Sequence, residues 1–245
     1  MILAKKVRLY PNEWQQQKLW QSVGTARFVY NWTLSVGIEQ ENIQEELTDE
    51  VLGIDLGVKE LAVCSNGQVF KNINKTKKVR KIEKKLRRLQ RRVSRKYEMN
   101  KEGNRIVKTC NIIKIERKIQ HLHRRLKNIR DNHVHQATNS IVKTKPCKVV
   151  MEDLNVRGIM KNRHLSKVVA KQKLHEFIRQ MTYKCKKYGI ECIQVDRFYP
   201  SSKTCSCCGT IKRDLKLSDR VYKCRCGLEI DRDFNAAINL ANYGK

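Results

Sequence analysis

The chain has 245 residues, 40% of them hydrophobic, which is enough to build one sizeable core with small appendages. Its formal net charge of +29, from 53 Lys and Arg against 24 Asp and Glu, far exceeds what solubility needs and points to a polyanionic partner. No segment approaches about 18 continuous apolar residues, so a spanning helix is not expected and nucleic acid is favoured over a membrane.

Residues 2–9 read as a strand, and Met1-Ile-Leu-Ala-Lys-Lys runs straight into it rather than forming a signal peptide. Tyr10-Pro11-Asn12 reads as a turn with Asn12 as N-cap. The helix expected after it has Trp14, Leu19, Val23, Phe28 and Trp32 as apolar positions. Residues 36–50 are acidic and polar and read as a linker or a frayed helix. Val51-Leu-Gly-Ile-Asp55-Leu-Gly57, Lys59–Cys64 and Gln68-Val-Phe then predict strands of a hairpin, with Ser65-Asn66-Gly67 as a turn. Asp55 stands in an otherwise apolar strand. A buried carboxylate costs several kcal/mol unless a cation meets it, so Asp55 pairs with Lys or Arg or binds a metal.

From Lys71 to Arg130 the chain carries 24 Lys and Arg against 4 Glu, hence +20 in sixty residues. Within this run Val79, Ile82, Leu86, Leu89 and Val93, and again Ile112, Ile115, Ile119, Leu122, Leu126 and Ile129, recur at alternating steps of three and four. That period predicts two long antiparallel helices with a narrow apolar seam, joined at Glu102-Gly103-Asn104. A solvated face usually mixes charge signs; this one does not. Lys84, Arg87, Arg88, Arg91, Arg92, Arg95, Arg117, Arg124 and Arg125 are therefore candidate phosphate contacts.

A shorter helix is expected over about 132–143. Lys148-Val-Val-Met-Glu152-Asp153 repeats the apolar strand ending in an acid, and residues 166–188 predict a helix stopped by Gly189. Residues 190–195 predict the next strand. Cys205/Cys208 and Cys224/Cys226, separated by fifteen residues, have the spacing of four thiolates on one tetrahedral zinc. The second pair is one residue shorter than usual, and Cys207 is an alternative ligand; two disulfides or free core thiols are the competing reading. The six cysteines without a pairing pattern fit a reducing cytosol. Asp231-Arg-Asp233-Phe-Asn-Ala-Ala opens a last helix, where either acid alone suits a cap.

Asp55 and Glu152 at strand ends and Asp233 at a helix start, far apart in sequence, match the needs of a two-metal phosphodiesterase. Such a centre activates water at one Mg²⁺ and stabilises the leaving oxygen at another, and hard divalent ions take carboxylate oxygens.

The ordered set Gly53-Ile-Asp55-Leu-Gly57, Met151-Glu152-Asp-Leu-Asn155, paired cysteines and Asp231-Arg-Asp233-Phe-Asn235-Ala-Ala resembles the TnpB/OrfB family. That family is encoded by bacterial insertion sequences and related to the type V CRISPR effector nucleases. Arg8-Leu-Tyr-Pro and Arg27-Phe-Val-Tyr-Asn-Trp resemble its start. The resemblance implies an α/β, RNase H-like (RuvC) mixed sheet with flanking helices, the basic helical hairpin at 71–130 and an inserted zinc ribbon. It divides the chain into a wedge-like remnant at 1–35, a linker at 36–50, a RuvC-like nuclease domain at 51–203, the ribbon at 204–228 and the domain's last part at 229–245. It implies that Asp55, Glu152 and Asp233 form a catalytic triad holding Mg²⁺ or Mn²⁺, and that Cys205, Cys208, Cys224 and Cys226 hold structural zinc.

The implied activity is RNA-guided cleavage of DNA in a prokaryotic cytoplasm, at the nucleoid. The family carries a long recognition segment between Asn31-Trp32 and Gly53, where this chain has only the short acidic stretch. The resemblance thus implies a large internal deletion, with a second chain or self-association supplying the missing surface. A nucleic-acid-binding regulator or remnant without catalysis is the alternative reading.

Overall fold

The computed structural model describes residues 2–8, 12–16, 33–39 and 46–244, apart from 104, 155, 164 and 217. It comprises two compact units, residues 1–43 and 44–245. In the first, β1 (Ile2–Arg8) pairs antiparallel with β2 (Thr33–Glu39), and residues 13–16 are helical. Asn12 caps that turn by accepting from the Gln15 amide at 2.9 Å, while the Gln15 side chain accepts from the Asn12 amide at 3.1 Å. The expected positions Leu19, Val23, Phe28 and Trp32 lie outside the described residues. The linker expectation is corrected at both ends: residues 36–39 belong to β2 and residues 48–50 open β3 (Thr48–Leu56). Residues 36–39 continue the alternating apolar pattern of Leu34, Val36 and Ile38, whereas the polar Thr48-Asp49-Glu50 become strand as an extension of the apolar run that follows them.

The second unit is built on a five-stranded mixed sheet. β3, β4 (Glu60–Cys64) and β5 (Val69–Lys71) form an antiparallel meander. The chain then leaves through α1 (Lys77–Met99), a minimal hairpin of β6 (Lys101–Glu102) and β7 (Arg105–Ile106), and α2 (Cys110–Val142). It returns as β8 (Pro146–Glu152), parallel to β3. α3 (Val156–Met160), α4 (Ser166–Gln172) and α5 (Leu174–Lys187) lead to β9 (Glu191–Val195), parallel to β8, which completes the order β5-β4-β3-β8-β9. After a cysteine-bearing segment, the small ladder of β10 (Val221–Lys223) and β11 (Glu229–Asp231) precedes α6 (Arg232–Tyr243).

Thr76 and Thr109 cap α1 and α2 through their side-chain oxygens. Their seam is antiparallel: Val79, Ile82 and Leu86 pack with Leu122 and Leu126, and Val93 with Ile112 and Ile115. Two helix expectations need correction. There is no separate helix at 132–143, because no Gly or Pro interrupts α2 and its last turns bury Val134, Ala137 and Ile141 under the sheet. The helix expected over 166–188 is broken at Lys173, which adopts φ 62°, ψ 36° although it is not glycine.

One face of the sheet, with Leu52, Ile54, Leu56, Val149 and Met151, packs on α2 and on Phe177, Met181 and Cys185 of α5. The opposite face receives α6. Gly53 lies directly beneath that helix: a Cβ there would stand 2.0 Å from the Ala237 carbonyl oxygen and 2.4 Å from the Ala241 nitrogen. Only a residue without a side chain permits this approach. Gly53→Ala is therefore expected to destabilise the protein by about 2–3 kcal/mol in urea unfolding. An unchanged midpoint would contradict the packing described.

Candidate active site

Strand alternation decides which side chains of β3 can form a site. Leu52, Ile54 and Leu56 face the core, so Gly53 and Asp55 face α6. In the neighbouring parallel strand Val150 stands opposite Gly53 and Met151 opposite Ile54, which sets Glu152 beside Asp55. Val150 packs against Leu240 of α6, and Glu152, two residues on, shares that face. α6 contributes the third acid. Its Ala237 lies on Gly53, and Asp233 is one helical turn earlier, a step of about 6 Å that matches the two-residue strand step of about 7 Å from Gly53 to Asp55. The three acids meet at one cavity of about 1100 Å³.

The two acids at the start of α6 have separate tasks. Asp231 is the N-cap: its carboxylate accepts from the amides of Asp233 at 2.9 Å and Phe234 at 3.2 Å. Asp233 is left to face the cavity, where Arg232 contacts it at 3.2 Å. Among the described residues, the carboxyl groups of Asp55 and Glu152 have neither a hydrogen-bond partner nor an ion-pair partner. Burial, reinforced by the charges of Asp233 and Glu152, pushes the Asp55 carboxyl up to about 7. Burial, with Asp153 beside it, also raises Glu152.

Cations ring the same cavity, among them Lys59, Lys75, Lys171, Arg197, Lys203 and Arg220. Several are braced from outside the acid group: Arg197 binds Asp153 at 2.7 Å and Lys171 binds Glu83 at 2.7 Å. The nine cations of the helical hairpin, Lys84, Arg87, Arg88, Arg91, Arg92, Arg95, Arg117, Arg124 and Arg125, are all exposed, and none is in an ion pair among the described residues. Arg87, Arg91 and Arg95 line one shallow groove along α1 with Gln90 and Ser94.

The Sγ atoms of Cys205, Cys208, Cys224 and Cys226 lie within 4.8 Å of one another, with Cys205–Cys226 at 3.6 Å and Cys208–Cys224 at 3.5 Å. All four are free thiols, and Cys207 points elsewhere as an exposed thiol outside the cluster. Two matching knuckles build it. Gly209 and Gly227, at φ 73° and 92°, return their amides to the carbonyls of Cys205 and Cys224. The structure ties this segment to α6 through two asparagines: Asn235, already part of the Asp233-Phe-Asn235 motif, and Asn239, which the sequence did not single out. Asn235 donates to the Thr204 carbonyl at 2.7 Å and accepts from the Ser206 amide at 3.1 Å, and Asn239 donates to the carbonyls of Ser201 and Thr204. Both asparagines are buried; the sequence signal of Asn239 is a polar residue on the apolar side of a helix.

Residues 34–163 match the family model of the OrfB–IS605 proteins, described as a probable transposase. The chain belongs to that family. In this OrfB chain, residues 1–46 match the family's helix-turn-helix domain and residues 175–240 a Cas12f1-like TNB domain. A putative RNA-guided DNA endonuclease of Streptomyces pristinaespiralis is 33% identical over 87% of this chain and 50% of its own length. The putative RNA-guided DNA endonuclease InsQ of Escherichia coli K12 is 29% identical over 96% of this chain and 59% of its own. The OrfB chain thus spans about half the length of the curated relatives it matches. Its fold is similar to that of Cas12f1 in a complex with guide RNA and target DNA, with a TM-score of 0.58 at 24% identity over 86% of this chain and 42% of that one. Among the described residues, no helix is long and apolar enough to cross a membrane.

Because the folded state holds Asp55 near 7 instead of its ordinary 3.8, it binds that proton more tightly than the unfolded chain does. The contribution of Asp55 to stability therefore falls as pH rises from about 4 to about 7, by a few kcal/mol. In metal-free buffer at pH 8, Asp55→Asn is expected to unfold at higher temperature than the parent, with the advantage gone below pH 4. A variant no more stable than the parent at pH 8 would show that the carboxyl is not repelled in this way.

Proposed function

We propose that this chain is a transposon-associated, RNA-guided DNA endonuclease that hydrolyses phosphodiester bonds at a two-metal carboxylate centre. In this reading the five-stranded sheet with α6 is an RNase H-like (RuvC) nuclease core within residues 51–203 and 229–245, and residues 204–228 form a zinc ribbon. The observation that carries the reading is the convergence of Asp55, Glu152 and Asp233 on one cavity, where the Asp55 and Glu152 carboxyls have no hydrogen-bond or ion-pair partner among the described residues. An idle nucleic-acid-binding remnant has no use for such a cluster, in which the charge of Arg232 only partly offsets the cost of burial.

The donor set fits Mg²⁺ or Mn²⁺: hard oxygen ligands, mutually repelling, at the floor of a cavity open to substrate. Three carboxylates arriving from two strands and a helix on one cavity suit a pair of ions about 4 Å apart. When bound, the ions supply an activated water and neutralise charge on the leaving oxygen. Asp55 and Asp233 would hold them from strand and helix, and Glu152 would be a further ligand that orients the attacking water. The water gives up a proton to solvent as its oxygen bonds to phosphorus, the P–O bond to the leaving oxygen breaks, and that oxygen is protonated from solvent in turn. Arg232 holds Asp233 in position, and the surrounding lysines and arginines grip the phosphates on either side.

The four thiols suit a structural zinc, closed by four soft ligands with no position for substrate. Through Asn235 and Asn239 this ribbon steadies the helix that carries Asp233. The exposed hairpin cations bind the backbone of nucleic acid, with the guide RNA supplying sequence and the protein reading shape. DNA as substrate and RNA as guide are supported by the names of the relatives and by the complex in which the similar fold was solved.

Asp55→Ala is expected to abolish Mg²⁺-dependent cleavage of DNA matching the RNA that copurifies with the protein, and to leave RNA binding nearly unchanged. Cutting at the parent's rate would sink the assignment. Metal analysis is expected to find one zinc per chain, lost in Cys205→Ser together with thermal stability. Retention of zinc by that variant would remove Cys205 from the ligand set.

A further inference from the structure

The turn after β9 presents an aromatic ring to the cavity that the hydrolysis does not employ. Phe198 is 86% exposed and lines the cavity shared with Asp55, Glu152 and Asp233. The residues around it are fixed. The Asp196 carboxylate accepts from the Phe198 amide at 2.8 Å, and the Tyr199 amide donates to the Asp196 carbonyl at 3.0 Å. Arg197 is held by Asp153 at 2.7 Å. Tyr199 packs edge-to-face on Tyr243 of α6 with centroids 5.1 Å apart, and its hydroxyl donates to the Asn239 carbonyl at 3.3 Å. A ring left in water adds little to folding, yet the side chains on either side of it are tied to Asp153, just past β8, and to α6. Leu165 and Val168, 43% and 38% exposed, add apolar surface to the same cavity, and Lys203 and Arg220 add charge.

Apolar and aromatic surface beside cations, above a carboxylate floor, matches the two halves of a nucleotide: a base with a flat π-face and a phosphate. A base stacked within a duplex has no free face to offer, whereas an unpaired one does. We infer that Phe198 is a base-stacking residue, which holds an unpaired base of a single-stranded nucleic acid while its backbone lies over the carboxylates. This rests on the nuclease reading and adds to it a residue that positions the strand at the point of cutting.

The test measures binding in an Asp55→Asn background, so that cleavage does not interfere. Fluorescein-labelled oligothymidine of about twelve nucleotides is compared with an abasic oligomer of the same length. Phe198→Ala is expected to weaken binding of oligothymidine about tenfold, and Phe198→Trp to restore it. Neither change should alter binding of the abasic oligomer, and the thermal midpoint should stay put. The inference is overturned if Phe198→Ala binds oligothymidine as the parent does, if the loss is equal on the abasic oligomer, or if the parent does not bind oligothymidine at all. Failure of the nuclease reading is seen separately, as absence of metal-dependent cutting by the chain with Asp55 and Phe198 intact.

Discussion

The close approach of α6 to β3 at Gly53 is the constraint on which the rest of the site depends. A Cβ at that position would stand 2.0 Å from the Ala237 carbonyl, so the helix lies on bare strand backbone. That contact fixes the height of the helix over the sheet, and with it the meeting of Asp233 with Asp55 one structural repeat away. The same helix buries Leu240 against Val150 and Val195, and anchors the cysteine segment through Asn235 and Asn239. One twelve-residue helix therefore joins core, carboxylate cluster and thiol cluster. The thiol cluster is consequently coupled to the carboxylates through rigid, buried polar ties rather than through direct contact.

Charge is segregated to serve the same end. The chain carries a net +29, most of it on the exposed faces of the helical hairpin, yet among the described residues the carboxyls of Asp55 and Glu152 are in no ion pair. With so many lysines and arginines available, neutralising them within the chain would have been easy. Instead Arg232 pairs with Asp233, and other cations of the cavity are engaged elsewhere, Arg197 with Asp153 and Lys171 with Glu83. The arrangement keeps negative potential at the floor and positive potential around it, suited to a divalent cation below and phosphates above. In the proposed function, binding of divalent ions would offset the unfavourable burial of Asp55.

Much of this was legible in the sequence because the signals were local contradictions. An acid inside an apolar strand, met at Asp55 and again at Glu152, has few explanations, and close cysteine pairs fifteen residues apart have fewer. The seam of α1 and α2 was legible from its steps of three and four. What was not legible depends on distant partners. β2 alternates Leu34, Val36 and Ile38 with other residues, a strand pattern obscured in the sequence by the acidic run that follows it. The break at Lys173 has no Gly or Pro to announce it, and the continuity of α2 past residue 130 is settled by burial under the sheet. The separate tasks of Asp231 and Asp233, cap and cavity, follow from backbone geometry that spacing alone left open. Asn239 matters only once the cysteine segment has docked, so no local pattern marks it; Asn235 belongs to the motif at the start of α6, but its bonds to Thr204 and Ser206 were not legible there.

The central claim is that Asp55, Glu152 and Asp233 act together as the ligands of a divalent pair. It is tested most directly by counting manganese. Electron paramagnetic resonance of the zinc-loaded protein titrated with Mn²⁺ should show two coupled ions per chain, and Asp55→Asn, Glu152→Gln and Asp233→Asn should each abolish the coupled signal. A coupled signal that survives loss of any one of the three carboxylates would contradict the account.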